Sequence, residues 1–337
     1  MRHESRDLRR RAFTLTEILV VIAIIGLLSS LAAWGVFAMI GNTQRNTTNA
    51  TMRVVNKMLQ DRWTAVIADS RKEPASPAVV NLAGGAVLDP TGERAKVIWT
   101  KVRLVEAFPV LYAEVAAANA GSVVNLYIPA NRRKPYFAKY QQALSGLTAG
   151  TPGESSACLL LALKTLYPDG VAIDDQIKYA VANNDGDGAS LVPVPNTIPT
   201  LVDGWQKPMA FFRFPFGGAA DPGLQLANPG KNTVNGAKFA DPIDTGGTLL
   251  NPKWYTSATT VPPAALTLKT TYESLFHVIG PPAVPTPAAA YYVAPVIVSG
   301  GKDNAIQLGL VVMNILPNLP SGAGAGDNIY SFNLRAD

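Results

Sequence analysis

Apolar and polar positions divide this chain into three stretches of different character. From Ile18 to Gln44 there is no charged residue, and the part up to Ile40 is dominated by Ile, Leu, Val and Ala. A run of that length and composition predicts a helix able to cross a bilayer. The stretch Gly41 to Thr51 is then polar and low in helix propensity, but holds no proline to break a helix. The helical period returns with Val55, Leu59, Trp63 and Val66 on one face and Met58 and Ile67 beside it, and it stops before Pro74 and Pro77. The pattern predicts one helix from Phe13 to about Lys72, its first half suited to lipid and its second half striped for packing on a sheet.

Beyond Pro74, Gly and Pro punctuate shorter runs. "AKVIWTKVRLV" and "GSVVNLYIP" have the β-branched content of strands. "PYFAKYQQALSGL", "SSACLLLALKTL" and "DDQIKYAVA" return to a helical pattern, so a helical insertion over about 136–182 is expected. From Pro193 on, proline-rich loops alternate with strand-like runs. The expected fold is α+β: a long N-terminal helix packed on an antiparallel-sheet head, with the helical insertion inside that head. The expected divisions are a basic leader over 1–12, the helix over 13–73 with 13–40 apolar, and a head over 74–337.

Composition and charge narrow the functions open to this fold. An apolar share of 48% supports a real core, and 16% charged residues is too few for a disordered polyion. Five arginines stand against Glu4 and Asp7 in the first twelve residues, so this leader supplies three of the five net positive charges. Cations gathered before an apolar run are a topology signal and keep that flank in the cytoplasm; they are not a phosphate-binding stripe, and no nucleic-acid partner is expected. Cys158 is the single cysteine, so no intrachain disulfide forms, and its apolar helical surroundings predict a buried thiol. One Cys and two His cannot build a Cys/His zinc cluster, and no G-x-S-x-G elbow accompanies His277. No catalytic constellation emerges.

One carboxylate stands out, because Glu17 sits at the mouth of the apolar run, where a charge costs about 2.5–3.5 kcal/mol at the bilayer centre. The leader, Phe13, Glu17 and the run that follows, "RRRA-FTLTEILVVIAIIGLL", resemble the class III signal of type IV pilins and type II secretion pseudopilins. The resemblance implies cleavage between Ala12 and Phe13 by a prepilin peptidase, methylation of the new amine, and pairing of Glu17 with the Phe13 amine of a neighbouring subunit. This sequence departs from the family in having Ala12 where Gly precedes the cut. Two alternatives from other classes are a signal-anchored periplasmic protein whose head binds a glycan or peptide outside any filament, and a catalytic head. The boundary position of Glu17 also fits a carboxylate that snorkels into water.

Two later stretches extend the resemblance. "NNDGDGASLVPVPNTIPTLVDGWQKPMAFFRF" is similar to the Asp-Gly-Asp-Gly, Asp-x-Trp-x-x-Pro and aromatic-strand order of large-headed pseudopilin-like proteins, with Asp203, Trp205 and Pro208 in place and Gln206 where Gly is usual. "APVIVSGGKDN…GAGAGDNIYSFNLRAD" is similar to their closing strand, Gly/Asp loop and final strand. The resemblance implies calcium in that loop, with Ser299, Asp303 and Asp327 as ligands, although a long apolar piece separates the two aspartates. A second calcium candidate is read from the residues themselves: Asn183, Asp185 and Asp187 imitate half of an EF-hand loop, but the twelfth position is Val194 and the bidentate Glu is missing. Together these features predict a non-enzymatic, single-pass inner-membrane protein with a periplasmic head. They predict that it assembles with other pseudopilins or pilins at an inner-membrane platform, in a minor or tip position.

Overall fold

The computed structural model describes residues 15–147, 153–166, 177, 181–182, 199–213, 243–244, 295–301 and 329–331. The chain forms two compact units, Met1–Arg45 and Asn46–Asp337. Helix α1, Leu15–Lys72, contributes to both. It runs through the polar stretch around Asn46 because no proline interrupts it, and Gly26, Gly35 and Gly41 are only mild breakers. It ends where expected: Arg71 and Lys72 lie in the last turn, favoured by the helix dipole, and Pro74 follows.

In the second unit the expected stripe of α1 is buried. Met52, Val55 and Leu59 are fully covered, Met58 and Trp63 nearly so, and Val66 and Ile67 flank them half-buried. The Trp63 ring lies 5.4 Å from that of Phe108. The chain then builds a helical layer of α2 (Pro77–Leu82), α3 (Gly85–Leu88), α4 (Glu93–Ala107), α5 (Tyr112–Val115), α6 (Val123–Tyr127), α7 (Pro135–Ala143) and α8 (Glu154–Leu166). Helices α7 and α8 occupy the two segments where the apolar period predicts them.

Among the described residues the head is not the sheet-rich body expected. "AKVIWTKVRLV" is the body of α4 and "GSVVNLYIP" contains α6, both helices where strands were expected. The α4 segment is buried on nearly every side, with even Lys101, Arg103 and Glu106 covered. A helix buried on nearly every side carries no readable 3.6 period, and its β-branched content imitates a strand. The overlooked signals were caps. The Asp89 carboxylate accepts from Arg94 N at 3.2 Å and Ala95 N at 2.7 Å, and the Ser122 hydroxyl accepts from Asn125 N at 3.2 Å.

Among the described residues the β-structure is two small antiparallel sheets. Strand β1 (Val181–Ala182) pairs with β2 (Thr200–Leu201), so the end of "DDQIKYAVA" is extended where helix was expected. Strand β4 (Val296–Ser299) is central in the other sheet, between β3 (Ala210–Phe212) and β5 (Ile329–Tyr330). Helix α8 covers β2 and β3: Ser156 Oγ donates to Leu201 O at 2.9 Å, and Ser155 Oγ accepts from Phe211 N at 3.1 Å. Gly153, just before α8, holds φ +82°, and an added Cβ would come within 3.0 Å of Pro208 and Thr200.

Candidate membrane and assembly segment

The first described turn of α1 carries Glu17, an exposed carboxylate placed where the helix dipole favours negative charge. From Leu15 through Phe37 every side chain is exposed, including Leu31 at 59%, Trp34 at 75% and Phe37 at 73%. No other large apolar surface of this extent occurs among the described residues. Two hydroxyls, Ser30 within this run and Thr43 just past it, are turned to the helix itself. Ser30 Oγ donates to Leu27 O at 2.8 Å, and Thr43 Oγ1 donates to Met39 O at 2.9 Å. That arrangement suits an apolar solvent, where an unsatisfied hydroxyl costs several kcal/mol on the order of a lost hydrogen bond. The helix is long and apolar enough to cross a membrane once. Ala12 and Phe13 lie outside the described residues.

The described parts of the two later stretches that carried the resemblance meet in space. Asp203 Oδ1 accepts from Trp205 N at 2.9 Å and Lys207 N at 3.0 Å, and Oδ2 accepts from Ser299 Oγ at 2.7 Å. The backbone of Asp203 also receives Gln206 N and donates to Lys207 O, closing a tight loop between Val202 and Pro208. Gly204 N donates to Thr48 Oγ1 on α1 at 2.8 Å. Burial pushes the Asp203 carboxyl above its usual range, opposed by the Ser299 hydroxyl and the N–H groups of Lys207 and Trp205. Gln206 holds φ +61°, the left-handed region that favours glycine, and is the one non-glycine residue to do so among those described.

Ser299, expected as a calcium ligand, is therefore a fully buried donor to Asp203, a residue not counted in that ligand set. Asp303 and Asp327 lie outside the described residues, as do Asn183, Asp185 and Asp187. Among the described residues no group of three or more His, Cys, Asp or Glu side chains is placed to hold a metal ion.

Two charged clusters escaped the sequence reading. Arg103 reaches Glu73 through Nη2 at 2.6 Å and Glu106 through Nη1 at 2.6 Å, while Lys134 Nζ reaches Glu73 Oε1 at 2.6 Å and Lys134 N donates to Glu106 Oε1 at 2.8 Å. Burial raises the Glu73 carboxyl, but the Lys134 and Arg103 contacts outweigh it and its pKa falls below the usual value. For the more deeply buried Glu106, burial prevails over Arg103 and Lys134 and its pKa rises. Arg132 and Arg103 both stack on Trp99, at 4.6 and 4.5 Å, and Arg132 also donates to Pro74 O. The basic run "RRK" at 132–134 is thus half-buried, and each of its members has a partner within the head. In the second cluster, Arg213 grips Glu114 with both terminal nitrogens, at 2.7 and 2.9 Å, and donates to Phe108 O at 2.8 Å. Charges isolated inside apolar runs, such as Arg103 and Glu106 in "KVRLVEAF", were the available signal, since such residues are buried almost only when paired.

Residues 7–33 match the family model of the prokaryotic N-terminal methylation motif. No curated protein and no solved structure matches the chain. The motif match spans the end of the leader, Ala12, Phe13, Glu17 and the first part of the exposed run. The chain therefore carries a class III prepilin-like signal, and that match includes no part of the head.

Proposed function

We propose that the chain is a structural subunit of a filament of the type II secretion or type IV pilus kind. It is cleaved by a prepilin peptidase between Ala12 and Phe13, methylated there, and assembled through its N-terminal helix. The observation that carries this is the coincidence of the methylation motif with a helix whose side chains are exposed from Leu15 to Phe37 and whose one charge over that span is Glu17, in the first turn. In the bacterial inner membrane this surface is covered by lipid; in a filament it is covered by the same surface of neighbouring subunits. Glu17 then meets the Phe13 amine of a neighbour, and the two charges offset one another's burial. The head is periplasmic. Its size suits a minor or tip-located subunit, since a bulky head crowds a repeating shaft.

Intact-mass measurement of membrane-extracted protein tests processing. The expected species begins at Phe13 and carries one methyl group, and a species that retains Met1 refutes the proposal. Glu17→Gln keeps size and removes charge, so it inserts normally but crosslinks poorly to neighbouring subunits. Calcium has two candidate ligand sets, Ser299 with Asp303 and Asp327, and Asn183 with Asp185 and Asp187, of which we propose the first. If it binds there, chelator lowers the melting temperature of the head and Asp327→Ala abolishes the difference.

A further inference from the structure

The charge-free run is longer than the layer it crosses. From Ile18 to Gln44 an α-helix extends about 40 Å, against about 30 Å of hydrocarbon in a bilayer. Charge alone therefore leaves a range of placements between two limits. With Arg45 at the outer boundary, Trp34 lies about 16 Å deep and Glu17 stands about 12 Å out in water on the arginine side. With Glu17 at the inner boundary, Phe37 falls at the outer one, about 30 Å away, and Trp34 lies just beneath it. Trp34 and Phe37 are the only aromatic residues between Glu17 and Arg45. They are three apart on the helix and so share a side, and they are among the most exposed apolar residues of the run, at 75% and 73%. Indole and phenyl rings settle at different energies across a bilayer, and Trp is enriched at the headgroup level, where its N–H stays wet. Past them the chain turns polar at Asn42, Thr43 and Gln44.

We infer that Trp34 and Phe37 form an interfacial anchor, seated at the lipid headgroup boundary opposite the arginine leader, and that this anchor holds Glu17 at the other edge of the hydrocarbon. The inference rests on the membrane-inserted reading above. It gives Glu17 a defined waiting position: in the lipid-stored subunit the carboxylate lies at the boundary, reachable by water, and is not dragged to mid-membrane. The asymmetry of the run, with a single carboxylate at one end and two aromatics toward the other, sets the depth of the helix.

The test uses the full chain in phosphatidylcholine vesicles whose lipids carry bromine either high on the acyl chain or near its end. The signal read is the part of the tryptophan fluorescence that Trp34→Phe removes, which separates Trp34 from the other tryptophans. Greater quenching by the shallow bromines is expected. Greater quenching by the deep bromines overturns the anchor while leaving the membrane-inserted reading intact. No quenching by either overturns both. A second readout uses Asn42→Cys, since Cys158 is buried and slow to react. A membrane-impermeant maleimide added on the head side should label Cys at this position readily. Adding Trp34→Leu with Phe37→Leu, which preserves apolarity, should slow the labelling as the helix sinks; an unchanged rate overturns the anchor.

Discussion

Leu27 and Leu59 lie on one helix and meet opposite fates. Leu27 is 62% exposed and Leu59 is fully buried. The backbone of α1 is the same at both, and so is the residue, so the difference is one of solvent. Around Leu59 the chain supplies its own cover: Met52, Val55, Trp63 and the apolar sides of the helical layer. Around Leu27 no described residue supplies a cover, and in the proposed function lipid or other copies of the same helix supply it. In water an exposed apolar surface of this extent is a liability, and in a bilayer it is the condition for insertion.

The comparison breaks most visibly if both leucines are truncated. Leu59→Ala opens a cavity in a closed core and should destabilise the head by about 2–5 kcal/mol. Leu27→Ala should leave unfolding of the head unchanged, because it removes no contact within it. Urea unfolding in detergent, followed by tryptophan fluorescence, reads both variants. Equal losses would mean that the exposed half is part of the head's cooperative unit and that the contrast of solvents is false.

The same contrast explains what was legible in the sequence. The first half of α1 is exposed and shows its apolar composition on every side, and Pro74 follows the end of the helix, so span and terminus were readable. The stripe at Val55, Leu59 and Trp63 was readable because only one side of that segment is buried. In α4 the burial is nearly complete and the period vanishes, so the helix passed for a strand. Its position is fixed by contacts distant in sequence, such as Arg103 with Glu73 and Ser70 Oγ with Thr100 Oγ1 at 3.0 Å. No local pattern encodes those. At the candidate site, Glu17 was legible because a lone charge in an apolar run is costly. The Asp203–Ser299 contact was not, because it joins residues 96 positions apart in sequence, although each had been singled out alone.

A smaller effect sharpens the comparison inside the head, where charges are managed by pairing instead of by exclusion. Glu106 has a raised folded-state pKa, so its contribution is fully present below the unfolded value of 4.5 and is lost as pH rises through the folded value. Glu73 has a lowered one, so its contribution is present above 4.5 and is lost as pH falls through the folded value. The two carboxylates share Arg103 yet should respond oppositely. Relative to wild type, Glu106→Gln should gain melting temperature between acid and neutral pH, whereas Glu73→Gln should lose it over the same range. Slopes of the same sign would show that burial does not govern Glu106.

The smallest effect lies in the loop at Asp203. Gln206 adopts φ +61° inside a turn pinned on both sides, by the Asp203 carboxylate on Trp205 N and Lys207 N and by Asp203 O on Gln206 N itself. Its side chain is exposed, so nothing in the core requires glutamine here. A left-handed conformation costs a residue with a Cβ roughly 1–2 kcal/mol, while glycine in its place loses about 0.4–1 kcal/mol through the greater freedom of the unfolded chain. Gln206→Gly should therefore stabilise the head by about 0.5–1 kcal/mol, a rise of a few degrees or less in melting temperature. Gln206→Ala separates the causes. It shortens the side chain but keeps the Cβ, so it should bring no gain if backbone strain is the source. If alanine stabilises as much as glycine, the glutamine side chain is at fault and the turn is unstrained.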